Sequence, residues 1–398
     1  MRFATRMDRL GTETAFAVSA EAREFEALGN TVYPFHVGDM NLPTPPVIQE
    51  AAIRALREGR TGYCPNGGIP ELREAIACDV NRTRGTGYCA ENVAVQPGGK
   101  PVIGKFLQAL MNEGDEVLYP NPGFPIYESQ IEYLGGVAVP YAYRERDGRF
   151  ELDPEEIDSR IGPATKLLIL NDLHNPTGAA CTREELQRLA ELACRRDLFV
   201  LSDEAYFDIR YEGEGGSIAA LPGMGERCAI LYTFSKKFAM TGWRLGAALG
   251  PKDLTEVVIR LNVNQESCSN HFIQYGALAG LTEGAGEVER IAAVLRDRRE
   301  AALQALQHVP GVSCSRPRGT FYLYPDVTEA MQAKGADYET FRRRALEEAG
   351  VSFCTRQHFG RPGRDEERAY IRLAYAGLDE SAIREGLARL QTFLERPG

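Results

Sequence analysis

The sequence has neither a long hydrophobic run nor a closely spaced pair of cysteines. No apolar stretch approaches the length of a membrane span, and residues 1–11 lack the apolar core of a secretory signal. The nine cysteines are odd in number, scattered and never in a CxxC pair, which argues for reduced thiols and against a structural zinc site. We therefore expect a cytoplasmic protein with no metal site and no membrane contact.

The sequence also lacks an excess of basic side chains. Its 46 Lys and Arg residues are outnumbered by 56 Asp and Glu residues, so the formal net charge is −10 at neutral pH. A negative field repels nucleic acid and anionic membranes, and a small molecule is therefore the expected partner. The same acidity is equally well explained by solubility alone.

The chain is too long for one ordinary hydrophobic core. With 398 residues, of which 43% are hydrophobic and 26% charged, it is typical of a globular protein with one large and one smaller domain. We assign residues 1–48 to an N-terminal arm and part of the small domain, 49–284 to the large domain and 285–398 to the small C-terminal domain.

Short apolar runs alternate with helical patterns from about residue 90 onward. Such repeats predict right-handed crossovers and a mainly parallel sheet with helices on both faces, an α/β fold. Strands are predicted at Val93–Gln96, Glu116–Tyr119, Leu167–Asn171 and Leu198–Ser202. A helix between the last two begins at a capping box made by Thr182 and Glu185.

The segments that follow predicted strands are candidates for a ligand site, because ligands bind at the carboxyl ends of parallel strands. Asn171–Gly178, Ser202–Tyr206 and Thr233–Lys236 are three such segments, so we expect them to share one site.

The two ends of the chain have patterns of their own. Ser19–Leu28 predicts a helix in the N-terminal arm, and Glu287–Gln307 predicts a long connecting helix. Beyond it, Gly319–Asp326 and Tyr370–Tyr375 predict strands of a separate α+β unit.

The segment TFSKKFAMTGWRLG at residues 233–246 resembles the cofactor-lysine signature of the class I/II aminotransferases, which are pyridoxal 5′-phosphate (PLP) enzymes of fold type I. The resemblance extends from about residue 12 to the C-terminus and implies a large PLP-binding domain with a mainly parallel sheet beside the smaller α+β domain. It implies four cofactor contacts: Lys236 as the Schiff-base lysine, Thr233 and Ser235 as hydroxyls beside the phosphate, and Arg244 as the phosphate's cation. The neighbouring Lys237 is a rival for the Schiff base, and we expect it to be structural or on the surface.

Two further segments resemble the family's contacts to the pyridine ring. In VLSDEAY at residues 200–206, Asp203 would pair with the ring nitrogen and keep the ring an electron sink, and Tyr206 would donate to the ring oxygen O3′. In the Asn-Pro-Thr-Gly element, Asn175 matches a second O3′ donor that also faces the substrate. Taken alone, such an aspartate is more often a helix cap and Asn-Pro a turn.

A loop between a predicted strand and a helix matches the family's phosphate loop. It contains Gly98, Gly99 and Lys100, where backbone N–H groups and the helix dipole attract an anion. Downstream, Phe124 matches the aromatic that stacks on the cofactor ring, although a core phenylalanine is a serious alternative. Tyr127 is expected on the substrate side.

The remaining matches concern the substrate and a second subunit. Arg372 matches the arginine that grips the substrate α-carboxylate, and Gly38 the loop that closes over it. Tyr63 matches the tyrosine that reaches the phosphate of the neighbouring subunit, which implies a homodimer with shared sites. The family commonly has proline after Gly-Asp, whereas this chain has Met40 and Asn41.

The resemblance implies a PLP-dependent aminotransferase that exchanges the amino group of an L-amino acid with a 2-oxo acid. The alternative is a PLP-dependent lyase or synthase that uses the same carbanion for β- or γ-elimination, replacement, cyclisation or carbon–carbon bond formation, for example on an amino acid like S-adenosylmethionine. A non-catalytic binding module is disfavoured because the chain has no basic extension.

The identity of the substrate is left open. Residues 262–270 contain no arginine, and Gln265 falls near the position where aspartate-specific relatives bind a distal carboxylate. With Asn264 and Glu266 nearby, this suggests a neutral polar or even cationic substrate, although such residues are more often a solvated helix face. His174 is expected to pack or hydrogen-bond rather than to transfer protons.

Overall fold

The structure, a computed structural model, describes residues 1–363 and 366–396. Its α-helices are α1 (Ala15–Ala27), α2 (Pro46–Arg57), α3 (Pro70–Arg84), α4 (Lys100–Leu110), α5 (Ile126–Tyr133), α6 (Pro154–Ser159), α7 (Arg183–Arg195), α8 (Phe234–Lys237), α9 (Lys252–Gln265), α10 (His271–Thr282), α11 (Glu287–Leu306), α12 (Thr328–Ala333), α13 (Tyr338–Ala349) and α14 (Glu380–Glu395). None of the helices in these two ranges is long and apolar enough to cross a membrane.

The strands form one large sheet and several small ones. They are β1 (Tyr33–Pro34), β2 (Val93–Gln96), β3 (Glu116–Pro120), β4 (Val137–Tyr141), β5 (Arg144–Arg146), β6 (Arg149–Glu151), β7 (Thr165–Leu170), β8 (Phe199–Asp203), β9 (Cys228–Thr233), β10 (Gly246–Leu249), β11 (Tyr322–Leu323), β12 (Val351–Ser352), β13 (Cys354–Thr355) and β14 (Ile371–Ala374).

The large sheet has seven strands in the order β2-β10-β9-β8-β7-β3-β4. Strand β10 is antiparallel to both of its neighbours, and the other adjacent pairs are parallel. Ile169, Leu201 and Ile230 in its central strands are fully buried, as expected for strands covered on both faces. The predicted α/β fold with a mainly parallel sheet is confirmed.

Helix α7 begins where its capping signal predicts. The Oγ1 atom of Thr182 accepts a hydrogen bond from the Glu185 backbone N–H at 3.1 Å, and the Glu185 carboxylate accepts one from the Thr182 N–H. Leu186 and Leu189 on its inner face are buried against the sheet. The local signal and the apolar spacing therefore agree, which fixes this crossover between β7 and β8.

A second hydrophobic core lies between the C-terminal helices and a three-stranded sheet, β11-β14-β13. Tyr33 and Phe35 belong to this core, and β1 pairs in parallel with β12. Residues near the N-terminus therefore pack with the C-terminal part of the chain. The division at residues 48 and 284 stays a prediction.

One predicted strand is much shorter than expected. Of Gly319–Asp326, only the two residues of β11 form a strand. Thr320 has φ of +64°, and its N–H donates to the carbonyl of Ile209 at 2.8 Å, so this end of the segment pairs with another loop instead of extending β11. The helix of the arm also begins at Ala15, before the predicted Ser19.

Candidate active site

A cavity of about 380 Å³ lies where three parallel strands of the large sheet end. Asn171 follows β7, and Asp203 and Thr233 are the last residues of β8 and β9, so their side chains meet at one edge. The site residues from the sequence that line the cavity are Gly38, Gly99, Lys100, Phe124, Asn175, Asp203, Tyr206, Thr233, Ser235, Lys236, Arg244 and Arg372. Gly98 lies in the adjoining loop, and Tyr63 lies elsewhere.

Lys236 points into this cavity from the short helix α8. Thr233 caps that helix, because its Oγ1 accepts from the Ser235 N–H at 3.2 Å. The Lys236 ammonium Nζ donates to the carbonyl of Gly38 at 2.6 Å. Burial lowers the pKa of Lys236 to about 8, so a useful fraction of the amine is unprotonated and nucleophilic at neutral pH.

The adjacent Lys237 points away from the cavity. Its Nζ lies 2.7 Å from Asp79 Oδ2 and 3.1 Å from Asp208 Oδ1, and the residue is buried. Successive residues of a helix face different directions, so the two lysines cannot share one task. Lys237 is a buried structural cation, not a surface residue.

Asp203 is a buried carboxylate that forms no ion pair with a Lys, Arg or His within residues 1–363 and 366–396. Its Oδ2 accepts from the Tyr127 hydroxyl at 2.5 Å and its Oδ1 from the Ala205 N–H at 3.1 Å. Burial raises the pKa of Asp203 to about 6. A protonated ring nitrogen in the cavity would supply the positive charge that this carboxylate lacks.

Tyr127 was expected on the substrate side, and its hydroxyl lies at Asp203 instead. The side chain is 1% exposed, and its ring packs edge-on against Phe124 with centroids 5.7 Å apart. The turn that begins α5 therefore places Phe124 in the cavity wall and directs the Tyr127 hydroxyl to Asp203.

Two tyrosines and an asparagine also line the cavity. The hydroxyls of Tyr206 and Tyr322 are hydrogen-bonded at 2.7 Å, and Asn175 Oδ1 accepts from Arg372 Nη1 at 3.0 Å. Tyr322 was missed because it lies in a predicted strand and in no recognised motif. A Cβ atom on Gly38 would lie 2.8 Å from the Tyr322 hydroxyl, so that close approach requires glycine.

Arg372 is held with its planar guanidinium between two rings. Its central carbon lies 4.4 Å from the Tyr322 ring centroid and 4.7 Å from that of Phe359, and its Nη2 donates to the carbonyl of His36 at 2.9 Å. Its buried Nε has no partner within the described residues. A guanidinium with an unused donor suits a carboxylate ligand.

A further part of the cavity, called the phosphate end below, combines a helix N-terminus with hydroxyls and an arginine. Helix α4 begins at Lys100, directly after Gly98 and Gly99, and Gly98 has φ of +101°. A Cβ on Gly98 would collide with Arg244, so the loop and the guanidinium lie in direct contact. Together with Ser235 these groups fit a phosphate.

The Lys100 side chain does not turn toward that phosphate end. Its Nζ lies 2.9 Å from Glu13 Oε2, in the segment that leads into α1. Glu13, Ala15 and Phe16 line the cavity, and the sequence patterns had not singled them out. The tertiary fold, and no local sequence pattern, places this arm beside α4.

Three other residues of interest lie outside the cavity. The Tyr63 side chain is 88% exposed, and Gln265 is exposed with its Nε2 donating to Gln108 Oε1 at 2.8 Å. His174 is buried and stacks on Tyr143 with ring centroids 4.2 Å apart. Burial lowers the pKa of His174 to about 3, so it is neutral at physiological pH, as a packing role requires.

The polar groups of the cavity fit PLP. An amine can hold its aldehyde, a buried carboxylate without an ion-pair partner among the described residues can bind its ring nitrogen, and a helix N-terminus can bind its phosphate. This site on a mainly parallel α/β sheet defines a PLP-dependent enzyme of fold type I. The chain belongs to the aminotransferases of class I and II, whose family model matches residues 30–390.

Similar proteins extend over the full length of the chain. It is 35% identical to a probable aspartate/prephenate aminotransferase of Aquifex aeolicus over 98% of both chains, and 33% identical to the aspartate aminotransferase of Bacillus subtilis over 100% of both. The aspartate aminotransferase of Thermus thermophilus, solved with maleate, superimposes with a TM-score of 0.91 at 33% identity, covering 99% of this chain and 100% of that one.

A structure with another named substrate superimposes equally well. The N-succinyldiaminopimelate aminotransferase of Mycobacterium tuberculosis has a TM-score of 0.91 at 27% identity, with 98% of this chain and 100% of that one covered. The protein is accordingly a PLP-dependent transferase, an aminotransferase that acts on an amino acid and a 2-oxo acid. These relatives are named as aminotransferases, not as lyases or synthases.

Proposed function

We propose that Lys236 carries the cofactor and moves the proton in transamination between an L-amino acid and a 2-oxo acid. When bound, PLP supplies an electron sink that stabilises the carbanion left after the substrate Cα–H is removed. The observation that carries the proposal is the position of the Lys236 amine in one cavity with Asp203 and Arg372. The Nζ of Lys236, displaced by the substrate's amine and with its lowered pKa, would accept the proton from the substrate Cα and would deliver it to the carbon that gains the amino group.

The other residues hold and orient the reactants in this proposal. Cofactor contacts are assigned to Gly98, Gly99, the backbone N–H of Lys100 at the start of α4, Phe124, Asn175, Asp203, Tyr206, Thr233, Ser235 and Arg244. Arg372, held by Asn175 and the carbonyl of His36, would bind the substrate α-carboxylate through its parallel N–H groups, with Gly38 beside it. These contacts would fix the Cα–H bond near Lys236 Nζ.

A homodimer with shared sites is part of the proposal. Tyr63 is 88% exposed on the single chain, and a large aromatic side chain in that position is available to a second subunit. We propose that it binds the phosphate end of the partner's cavity. A cytoplasmic location, expected from nine free cysteines, also stays a proposal.

Labelling with borohydride tests the role of Lys236. Reduction of the PLP-loaded protein should attach the cofactor irreversibly to Lys236, identified by peptide mass. Lys236→Ala should carry no label and should lose amino transfer by at least about 100-fold, because the proton-transfer group is gone. Lys237→Arg is the matched control and should still be labelled at Lys236. Label on another lysine of the wild-type protein would refute the proposal.

A further inference from the structure

Among the described residues that line the cavity, one cationic side chain has no task in the proposed function, because Lys100 contributes only its backbone N–H to the phosphate end. The cationic side chains that line it are Lys100, Lys236, Arg244 and Arg372. The proposed function assigns the last three to proton transfer, phosphate and α-carboxylate. Burial lowers the pKa of His36 to about 4, and burial also lowers that of His358, so both histidines in the wall are neutral at physiological pH. An acidic substrate side chain therefore has Lys100 as its available partner.

That partner is already bound by a carboxylate of the same chain. Glu13 Oε2 lies 2.9 Å from Lys100 Nζ, and the Glu13 side chain is only 14% exposed. The Phe16 and Phe124 rings flank the lysine, with centroids 5.7 Å and 5.6 Å from Nζ. The Lys100 side chain is 45% exposed, so the pair is partly buried and salt can screen it from its open side.

Glu13 lines the same cavity as Lys236 and also acts on it through its charge. Burial is the main cause of the lowered pKa of Lys236, and Glu13 is among the negative charges that oppose that shift. A second carboxylate near Lys100 would therefore meet the charge of Glu13. It would have to separate the existing pair at an energetic cost, whereas an uncharged side chain can pack on the wall and leave the pair intact.

We infer that Glu13 is a specificity-determining residue, which neutralises Lys100 and so restricts the enzyme to amino acids with an uncharged side chain. The inference rests on the proposed function, because it requires Arg372 to take the α-carboxylate. Residues of the arm then select the substrate, although the reacting groups lie in the large sheet. The wall that the side chain would contact includes Ile103, Phe16 and Phe124.

The test compares two ligands that differ in charge but hardly in shape, succinate and its half-amide succinamate. Their dissociation constants from the PLP-loaded protein are measured by calorimetry. Glu13→Gln should bind succinate about fivefold more tightly and leave succinamate unchanged, because Lys100 becomes available to the second carboxylate. Glu13→Gln combined with Lys100→Gln should remove the gain. Glu26→Gln, which removes the same charge from an exposed position on α1, is the matched control and should change neither constant.

Amino transfer by the wild-type protein gives an independent measure. It should prefer asparagine to aspartate as the amino donor, and Glu13→Gln should reduce that preference.

An unchanged ratio of the two dissociation constants in Glu13→Gln, equal changes for both ligands, or a wild-type preference for aspartate would each overturn the inference. Equal changes would mean that Glu13 only fastens the arm. Borohydride labelling of Lys236 in Glu13→Gln, and weaker binding of both ligands to Arg372→Ala, would show that the proposed function survives such a failure.

Discussion

At the scale of single residues, the hydrogen bond between Tyr127 and Asp203 controls the buried charge of the site. Burial raises the pKa of Asp203 from 3.8 to about 6, and the Tyr127 hydroxyl opposes that shift by donating to the charged form. A folded-state pKa above the unfolded value means that protonation favours the folded protein. The resulting stability is fully present below the unfolded pKa of 3.8 and is lost as the pH rises through about 6.

Tyr127→Phe should therefore destabilise the cofactor-free protein mainly above that pH. A lost hydrogen bond to a charged carboxylate costs about 1.5–3 kcal/mol, against about 0.5–1.5 kcal/mol for a neutral one. Urea unfolding at about pH 5 and about pH 8 measures both losses. Tyr141→Phe is the control, because its buried hydroxyl donates to the carbonyl of Ile169 at 2.8 Å and its loss should not depend on pH. A pH-independent loss in Tyr127→Phe would contradict the assignment.

At the scale of secondary structure, the sequence predicted an element correctly where the residues of that segment alone determine its conformation. The capping box at Thr182 and Glu185 and the apolar spacing behind it predicted α7 correctly. The strand predicted at Gly319–Asp326 was too long because Thr320 bonds to a distant loop, which the local pattern does not record. The contacts of the Tyr127 hydroxyl and of Glu13 were not predicted for the same reason, since their partners lie 76 and 87 residues away along the chain.

The loop between β2 and α4 offers a prediction at this scale. Gly98→Ala should weaken PLP binding by about tenfold or more, because the added Cβ displaces Arg244 from the phosphate end. Alanine at the positive φ of +101° also costs about 1–2 kcal/mol of folding stability. Gly114→Ala is the matched control, since its φ is +87° and no atom lies within 4 Å of the added Cβ.

Fluorescence titration with PLP and thermal unfolding of the cofactor-free protein separate the two effects of this loop change. Both variants should lose similar stability, and only Gly98→Ala should lose affinity for PLP. Equal affinities of the two variants would mean that Arg244 does not depend on the space that Gly98 leaves free.

At the scale of the whole molecule, the cavity depends on segments from both ends of the chain. Arg372 is anchored by the carbonyl of His36, and Lys236 by that of Gly38, so residues near the N-terminus position groups of the large sheet and of the C-terminal part. Sequence motifs identified most of these residues separately. Their spatial relation follows from the pairing of β1 with β12, a contact that the sequence patterns did not predict.

The proposed homodimer predicts that two inactive variants restore activity when their subunits combine in one dimer. If Tyr63 of one subunit completes the phosphate site of its partner, the Lys236→Ala and Tyr63→Ala variants should each have low amino-transfer activity at limiting PLP. A mixture of the two variants should be more active than either one. A hybrid dimer then has one site with both residues intact and one with neither, so random exchange of equal amounts should restore about a quarter of the wild-type activity. Subunits are mixed, allowed to exchange, and assayed against time. Mixing Lys236→Ala with Tyr63→Ala/Lys236→Ala is the control and should restore nothing. Activity that stays at the sum of the separate variants, although native mass spectrometry shows hybrids, would place Tyr63 outside the partner's site.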